Sequence, residues 1–371
     1  MRNRILWILI GLFGCFFPGT LTLGAASESF TEGIRVGILL SSFGDIDDPA
    51  EAQDYVIRTL SHPSVIPLPA FMRVKIAYAS WMIRGASVLE KYRAIGGKTN
   101  YRSVSQQQAD LISAKLRSEG IDARGYVGFT FTYPFIHEAL KKAQDEGVDH
   151  LIVVNQGAQF ANVTTGLEFD EVRKYLAAHP EWRVKTTGIR QFSDDPRFQD
   201  LVAKSIEKRI KQEFNYVLSN DLCIFLPMHG NIESVIDAGD PSFGQMLRVV
   251  QAMQGRFSRY HVSYGFLNSD DIPLLRWTQP KDSDAIRALM ATGCRHVLIN
   301  GRISFTVDSI ESLYDQGIAE KNLVYKSASE LGFTPAKVTV EKMFNVEGDF
   351  ISFQATIVKE ALAGRGDLET L

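Results

Sequence analysis

His229 directly follows the apolar run Leu222-Cys-Ile-Phe-Leu-Pro-Met228, which places an imidazole where a buried strand ends. Histidine titrates near neutrality, so there it is suited to take up a proton or hold a metal ion. The same pattern also fits a loop histidine that bonds only neighbouring backbone. His137 falls in a helical pattern, and His150, His261 and His296 border strands, which makes them weaker candidates. A second group lies between Val307 and Asp315. On an α-helix Asp308, Glu311 and Asp315 stand at i, i+3 and i+7 and share one face. A carboxylate row leading into a cleft attracts a hard or borderline divalent cation and passes protons outward. A solvated helix start, with acids favoured by the helix dipole, has the same spacing.

Other chemistries are disfavoured. Ile95-Gly96-Gly97-Lys98-Thr99 lacks the earlier glycine and the preceding strand of a phosphate loop, and no GxGxxG occurs, which argues against nucleotide binding. The net charge is −3 with both signs mixed along the chain, so nucleic acid is not an expected partner. Cys223 and Cys294 lie far apart in or beside predicted strands and read as small buried apolar residues, with a disulfide left open. No cysteine spacing suggests a zinc site or an iron–sulfur cluster.

Those residues must be held by an alternating α/β chain. Strands are expected at 34–40, 123–131, 150–154, 222–226, 261–264 and 296–300. Helices are expected at 50–60, 105–118 with Ser105 as cap, 136–145, 169–178, 198–214, 241–253 and 282–291, and from about Val307. This alternation predicts two Rossmann-like domains, each a mostly parallel sheet flanked by helices, with a cleft between them. The domains are placed at 34–195 and 215–330, with a C-terminal segment at 335–365 whose helix packs back on the core. Ligands of such sheets sit outside the carboxyl ends of the strands, which selects the loops 41–48, 155–166, 227–240 and 301–308.

The first 26 residues stand apart. Arg2 and Arg4 precede an uncharged apolar stretch from Ile5 to Phe17, and Gly24-Ala25-Ala26 supplies small residues before Ser27. That order reads as a secretory signal peptide, cleaved after Ala26. Residues 5–25 are also about long enough to anchor the chain in a membrane uncleaved, and Leu12 to Cys15 faintly resembles a lipoprotein processing site. Export to the periplasm or membrane attachment is the expectation.

Taken together, the ordered motifs resemble the ferrochelatase family, over nearly all of residues 34–365. The similar segments are Leu40 to Gly44 followed by Pro49, Glu90 to Gly97, Gly128 to Pro134, Thr164-Thr165-Gly166, Met228-His229-Gly230, Ala238 to Pro241, and Trp277 to Pro280. The resemblance implies insertion of a divalent metal, foremost Fe²⁺ as substrate, into a porphyrin held in the interdomain cleft, as in haem biosynthesis. It makes His229 the cleft histidine and puts the family's catalytic glutamate on Asp308, one methylene shorter. His229, Asp308 and Glu311 are then the metal-contacting set. Ser42, Phe43, Thr130, Tyr133, Gln159, Thr164 and Thr165 are the implied porphyrin-binding residues, although Thr130 stands where the family commonly has a basic side chain. No tightly bound cofactor is expected. Alternatives are an exported protein that binds haem or another tetrapyrrole without metallating it, or a cobalt or nickel chelatase.

Overall fold

The computed structural model describes residues 33–66, 68–215, 219–268 and 276–371. Val36–Ser42, buried at all seven positions, is the first strand, β1. Asp48 caps a 3-10 turn at Pro49–Glu51 by accepting from the Ala50 N–H, and α1 (Ala52–Ser61) follows. Next come α2 (Ala70–Ala94), α3 (Tyr101–Ser118), β2 (Ala123–Phe129), α4 (Ile136–Asp145) and β3 (His150–Asn155). A π-helical turn, Asn162–Gly166, leads into α5 (Leu167–Ala178), and β4 (Lys185–Ile189) follows. The second half runs through α6 (Pro196–Phe214), β5 (Leu222–His229), α7 (Glu233–Asp237), α8 (Ser242–Arg256), β6 (His261–Leu267), α9 (Asp282–Met290) and β7 (His296–Ile299). A ten-residue π-helix, Glu311–Glu320, then continues into α10 (Lys321–Glu330), β8 (Lys337–Val340), α11 (Gly348–Leu362) and β9 (Leu368–Thr370).

The strands form two sheets, ordered β2-β1-β3-β4-β9 and β6-β5-β7-β8. All pairs are parallel except β4 with β9. Parallel neighbours need crossover connections, and the helices that supply them cover the sheet faces; the strands therefore read as unbroken apolar runs. The mixed α/β class expected from the sequence is the observed one. In each sheet the leading strand, β1 or β5, lies between neighbours reached by crossovers in opposite directions, which opens a crevice at its carboxyl end. One apolar core joins both halves, including Ile38, Val154, Phe198, Leu226, Leu298 and Phe350. The last of these is on α11, which packs against α3 and α6.

Some elements differ from the sequence reading. Helix α3 begins at Tyr101, so Ser105 is inside it, buried, and exchanges hydrogen bonds with Gln156 instead of capping. Strand β5 continues past Leu226 to His229. Its pairing with β7 stops at Phe225, so the missing N–H of Pro227 falls on the open side and breaks no ladder. The second sheet reaches beyond residue 330 because β8 completes it, and β9 returns to the first. The 25-residue α2 carries no expected element at all. Its apolar residues surround the axis, with Met82 and Ile83 exposed and Ala77 and Tyr92 buried, so no amphipathic stripe announces it.

Cys223 and Cys294, read as buried apolar residues with a disulfide left open, are joined in one between the start of β5 and the turn before β7. The apolar N-terminal segment lies outside the described residues, and among those described no helix is long and apolar enough to cross a membrane.

Candidate active site

A cavity of about 350 Å³ opens at the carboxyl ends of β1, β3 and β5, facing the loop after β7. Phe43, Val163, Ile232, Met246, Trp277 and Phe305 give it largely apolar walls from both halves. The halves are stitched together beside it. Gly157 and Phe305 form an antiparallel bridge, Gln159 Nε2 donates to the Ile303 carbonyl at 2.7 Å, and Thr306 Oγ1 donates to the Gln156 carbonyl at 2.5 Å. The chain leaves β1 through Gly44 at φ +83°, where a Cβ would collide with Thr132 and Phe129. Only glycine fits there, and this fixes the turn that carries Ser42 and Phe43 into the cavity.

His229 ends β5 on the cavity wall, and its Nδ1 lies 2.8 Å from Oε1 of Glu311, the first residue of the π-helix. Burial pushes the Glu311 carboxyl up, but the charge and contact of His229, with Lys91 beyond, outweigh it and hold Glu311 below the usual carboxylate range. Glu311 is therefore a carboxylate placed in direct contact with the imidazole. Asp45, from the loop after β1, orients the start of this helix by accepting the Ile310 N–H at 2.7 Å. It also accepts from the Tyr92 hydroxyl and the Ile46 N–H. Burial raises Asp45 to about 6 against those hydrogen bonds. One step along the π-helix, Asp315 pairs with Lys91 at 2.8 Å. Burial pushes Asp315 up, and Lys91 opposes it. Proton uptake by the imidazole, with a carboxylate to stabilise the charge, is what this arrangement can do.

The Ferrochelatase family profile matches residues 35–362 of the chain. The chain belongs to the ferrochelatase family. The ferrochelatase of Synechococcus sp. (strain JA-3-3Ab) is 28% identical over 299 residues, covering 79% of this chain and 85% of the relative. That of Synechococcus sp. (strain JA-2-3B'a(2-13)) is 26% identical over 339 residues, covering 90% and 94%. Among solved structures, SirB from Bacillus subtilis with Fe³⁺ superposes with a TM-score of 0.53 at 12% identity, over 89% of this chain and 97% of its own. That likeness is one of fold. Family and fold together support metal insertion into a tetrapyrrole.

Within this ferrochelatase fold the residues singled out from the sequence separate into two groups. His229, Glu311, Ser42, Phe43, Gln159 and Thr164 line the cavity. Asp308 does not. Its carboxylate accepts from Ser312 Oγ, the Met343 N–H and Asn345 Nδ2, at 3.1, 3.0 and 2.9 Å, and so ties the loop after β7 to the segment before α11. Glu311, not Asp308, is the acid in contact with His229. The reason is helix type: the segment is π-helical and starts after Asp308, and the wider i→i+5 turn aligns Glu311 with Asp315 instead of joining either to Asp308. Thr165 is fully buried, its hydroxyl directed to the Gln159 carbonyl, and Thr130 is not among the lining residues. Tyr133 is 58% exposed, its ring beneath the Arg102 guanidinium, away from the cavity.

Asp45, Asn155 and Glu168 are among the polar cavity residues that the sequence reading did not single out. A signal was present for two of them, since Asp45 and Asn155 lie in the strand-end loops 41–48 and 155–166, whereas Glu168 stands just beyond, on α5.

Proposed function

We propose that the protein inserts Fe²⁺ into a porphyrin bound in the cavity bearing His229 and Glu311. The observation that carries this reading is the 2.8 Å contact between those two side chains in a largely apolar cavity. Metallation requires two pyrrole N–H protons to leave as four nitrogens bind the metal. The imidazole of His229 takes up a proton from the ring, and the Glu311 carboxylate beside it stabilises the resulting imidazolium. Apolar walls from both halves grip the macrocycle faces and exclude water. Fe²⁺, borderline in softness, suits a transient imidazole and carboxylate contact. In this reading iron is a substrate, and neither a tightly bound cofactor nor an iron–sulfur cluster takes part.

The reading includes an exported or membrane-attached location, through residues 5–25. The disulfide between Cys223 and Cys294 supports it, since such bonds persist in oxidising compartments.

The test is anaerobic incubation of the full chain with Fe²⁺ or Zn²⁺ and a free-base porphyrin, followed by absorbance, beside His229→Ala and Glu311→Gln. Insertion by the parent that both substitutions abolish is expected. Tight haem binding without insertion would replace the enzyme reading with that of a tetrapyrrole carrier. Preference for Co²⁺ or Ni²⁺ under competition would replace the metal.

A further inference from the structure

Glu168 is the second residue of α5, and none of its surface is exposed to bulk solvent, yet it lines the cavity. Its two carboxylate oxygens are treated differently. Oε2 accepts from Ser41 Oγ at 2.5 Å and from Asn155 Nδ2 at 2.6 Å, donors at the carboxyl ends of β1 and β3. Oε1 is buried and has no hydrogen-bond partner among the described residues. A buried carboxylate oxygen left unpaired costs free energy that folding alone does not recover, so its retention calls for a ligand atom or proton. Glu168 belongs to the N-terminal half, whereas His229 and Glu311 belong to the C-terminal half. Besides Asp45, whose oxygens are taken up by hydrogen bonds, the cavity thus carries an acid–base centre from each half.

We propose that Glu168 is a second proton acceptor for the ring, taking one pyrrole proton on Oε1 while the His229–Glu311 pair takes the other. This rests on the reading of the site as one for porphyrin metallation. The step balances: the N–H bond breaks, its electron pair stays on nitrogen for the incoming metal, and an O–H bond forms at Oε1. Two protons leave the ring and each has its own acceptor. After the metallated ring departs, the proton passes to water entering the cavity.

The surroundings agree with that task. Burial raises Glu168 to about 7, against the Ser41 and Asn155 hydrogen bonds, so near neutrality it exchanges a proton readily. Ser41 and Asn155 are neutral. The titratable group beside it, Tyr101, is itself pushed far up, first by burial, and stays neutral as well. Across the cavity stand His229 and Glu311, and Asp45 lies on the loop after β1.

The experiment follows Zn²⁺ insertion into deuteroporphyrin against pH, with free-base binding measured by fluorescence, for the full-length parent, Glu168→Gln and Asn155→Ala. Glu168→Gln keeps the shape and both accepted hydrogen bonds. It is expected to bind the porphyrin as the parent does, while insertion falls at least about ten-fold and the rise of rate with pH near 7 disappears. Asn155→Ala removes a bond that favours the charged form, so its rise moves to higher pH. Insertion by the parent with an unchanged rise in both variants overturns the role of Glu168 alone. Absence of porphyrin binding and insertion in the parent overturns the metallation reading itself, and the proposal with it. Should Glu168→Gln fail to fold, Asn155→Ala decides by the same shift.

Discussion

The Lys91 ammonium lies 2.8 Å from the Asp315 carboxylate, joining α2 to the π-helix that carries Glu311. Both side chains are mostly shielded from solvent. Lys91 also lowers Glu311 through its charge, so one cation from the N-terminal half supports two carboxylates of the other half. Replacing Lys91 by Met should cost roughly 1–3 kcal/mol, as expected for removing one partner of a partly buried pair. Asp315→Asn in the same background should recover part of that loss. Denaturant unfolding of the two single variants and the double variant gives the coupling directly.

Glu311 and Asp308, three residues apart, are expected to respond oppositely. Glu311→Gln should lower metal insertion by about 10²-fold or more while leaving the melting temperature nearly unchanged. Asp308→Asn should retain most activity but lose roughly 1–2 kcal/mol, because its carboxylate satisfies three donors in the structure. Insertion rates and thermal melts on the same preparations separate the two.

Asp45 supplies a pH dependence with a definite sign. Its folded value, about 6, lies above the ordinary 3.8, so the folded state binds the proton more tightly than the unfolded chain. Stability from this group is therefore greatest below about pH 4 and falls as pH rises toward 6, by up to about 3 kcal/mol. Relative to Asp45→Asn, the parent should lose unfolding free energy across that window. A constant difference between pH 4 and 7 would contradict the assignment.

The disulfide closes a loop of 71 residues. In the chain-entropy treatment that constraint contributes about 4 kcal/mol. Cys223→Ala with Cys294→Ala should lower unfolding free energy by up to that amount, and a reducing agent should bring the parent toward the same midpoint.

Much of the fold was legible because parallel strands covered on both faces must be apolar runs, and those within Val36–Ser42, His150–Asn155, Leu222–His229 and His296–Ile299 are of that kind. Helix α2 escaped notice for the opposite reason: its apolar residues are spread around the axis among charged ones, which leaves no periodic signature. Strand β4, Lys185–Ile189, was also missed, being short, with threonine and glycine at its centre.

The order of residue types alone determined that an imidazole leaves the end of a buried strand and that acids follow the last Gly-rich loop. Which acid meets the imidazole was decided in three dimensions. The α-helical spacing favoured a row beginning at Asp308, whereas π-helical bonding, anchored by Asp45 from the other half, turns Glu311 to His229 and leaves Asp308 to tie backbone. The pairing of Cys223 with Cys294 and the burial of Glu168 among Ser41 and Asn155 were likewise settled only by tertiary contact. Periodicity reports which face of an element is apolar. It carries no information about which distant residue that face will meet.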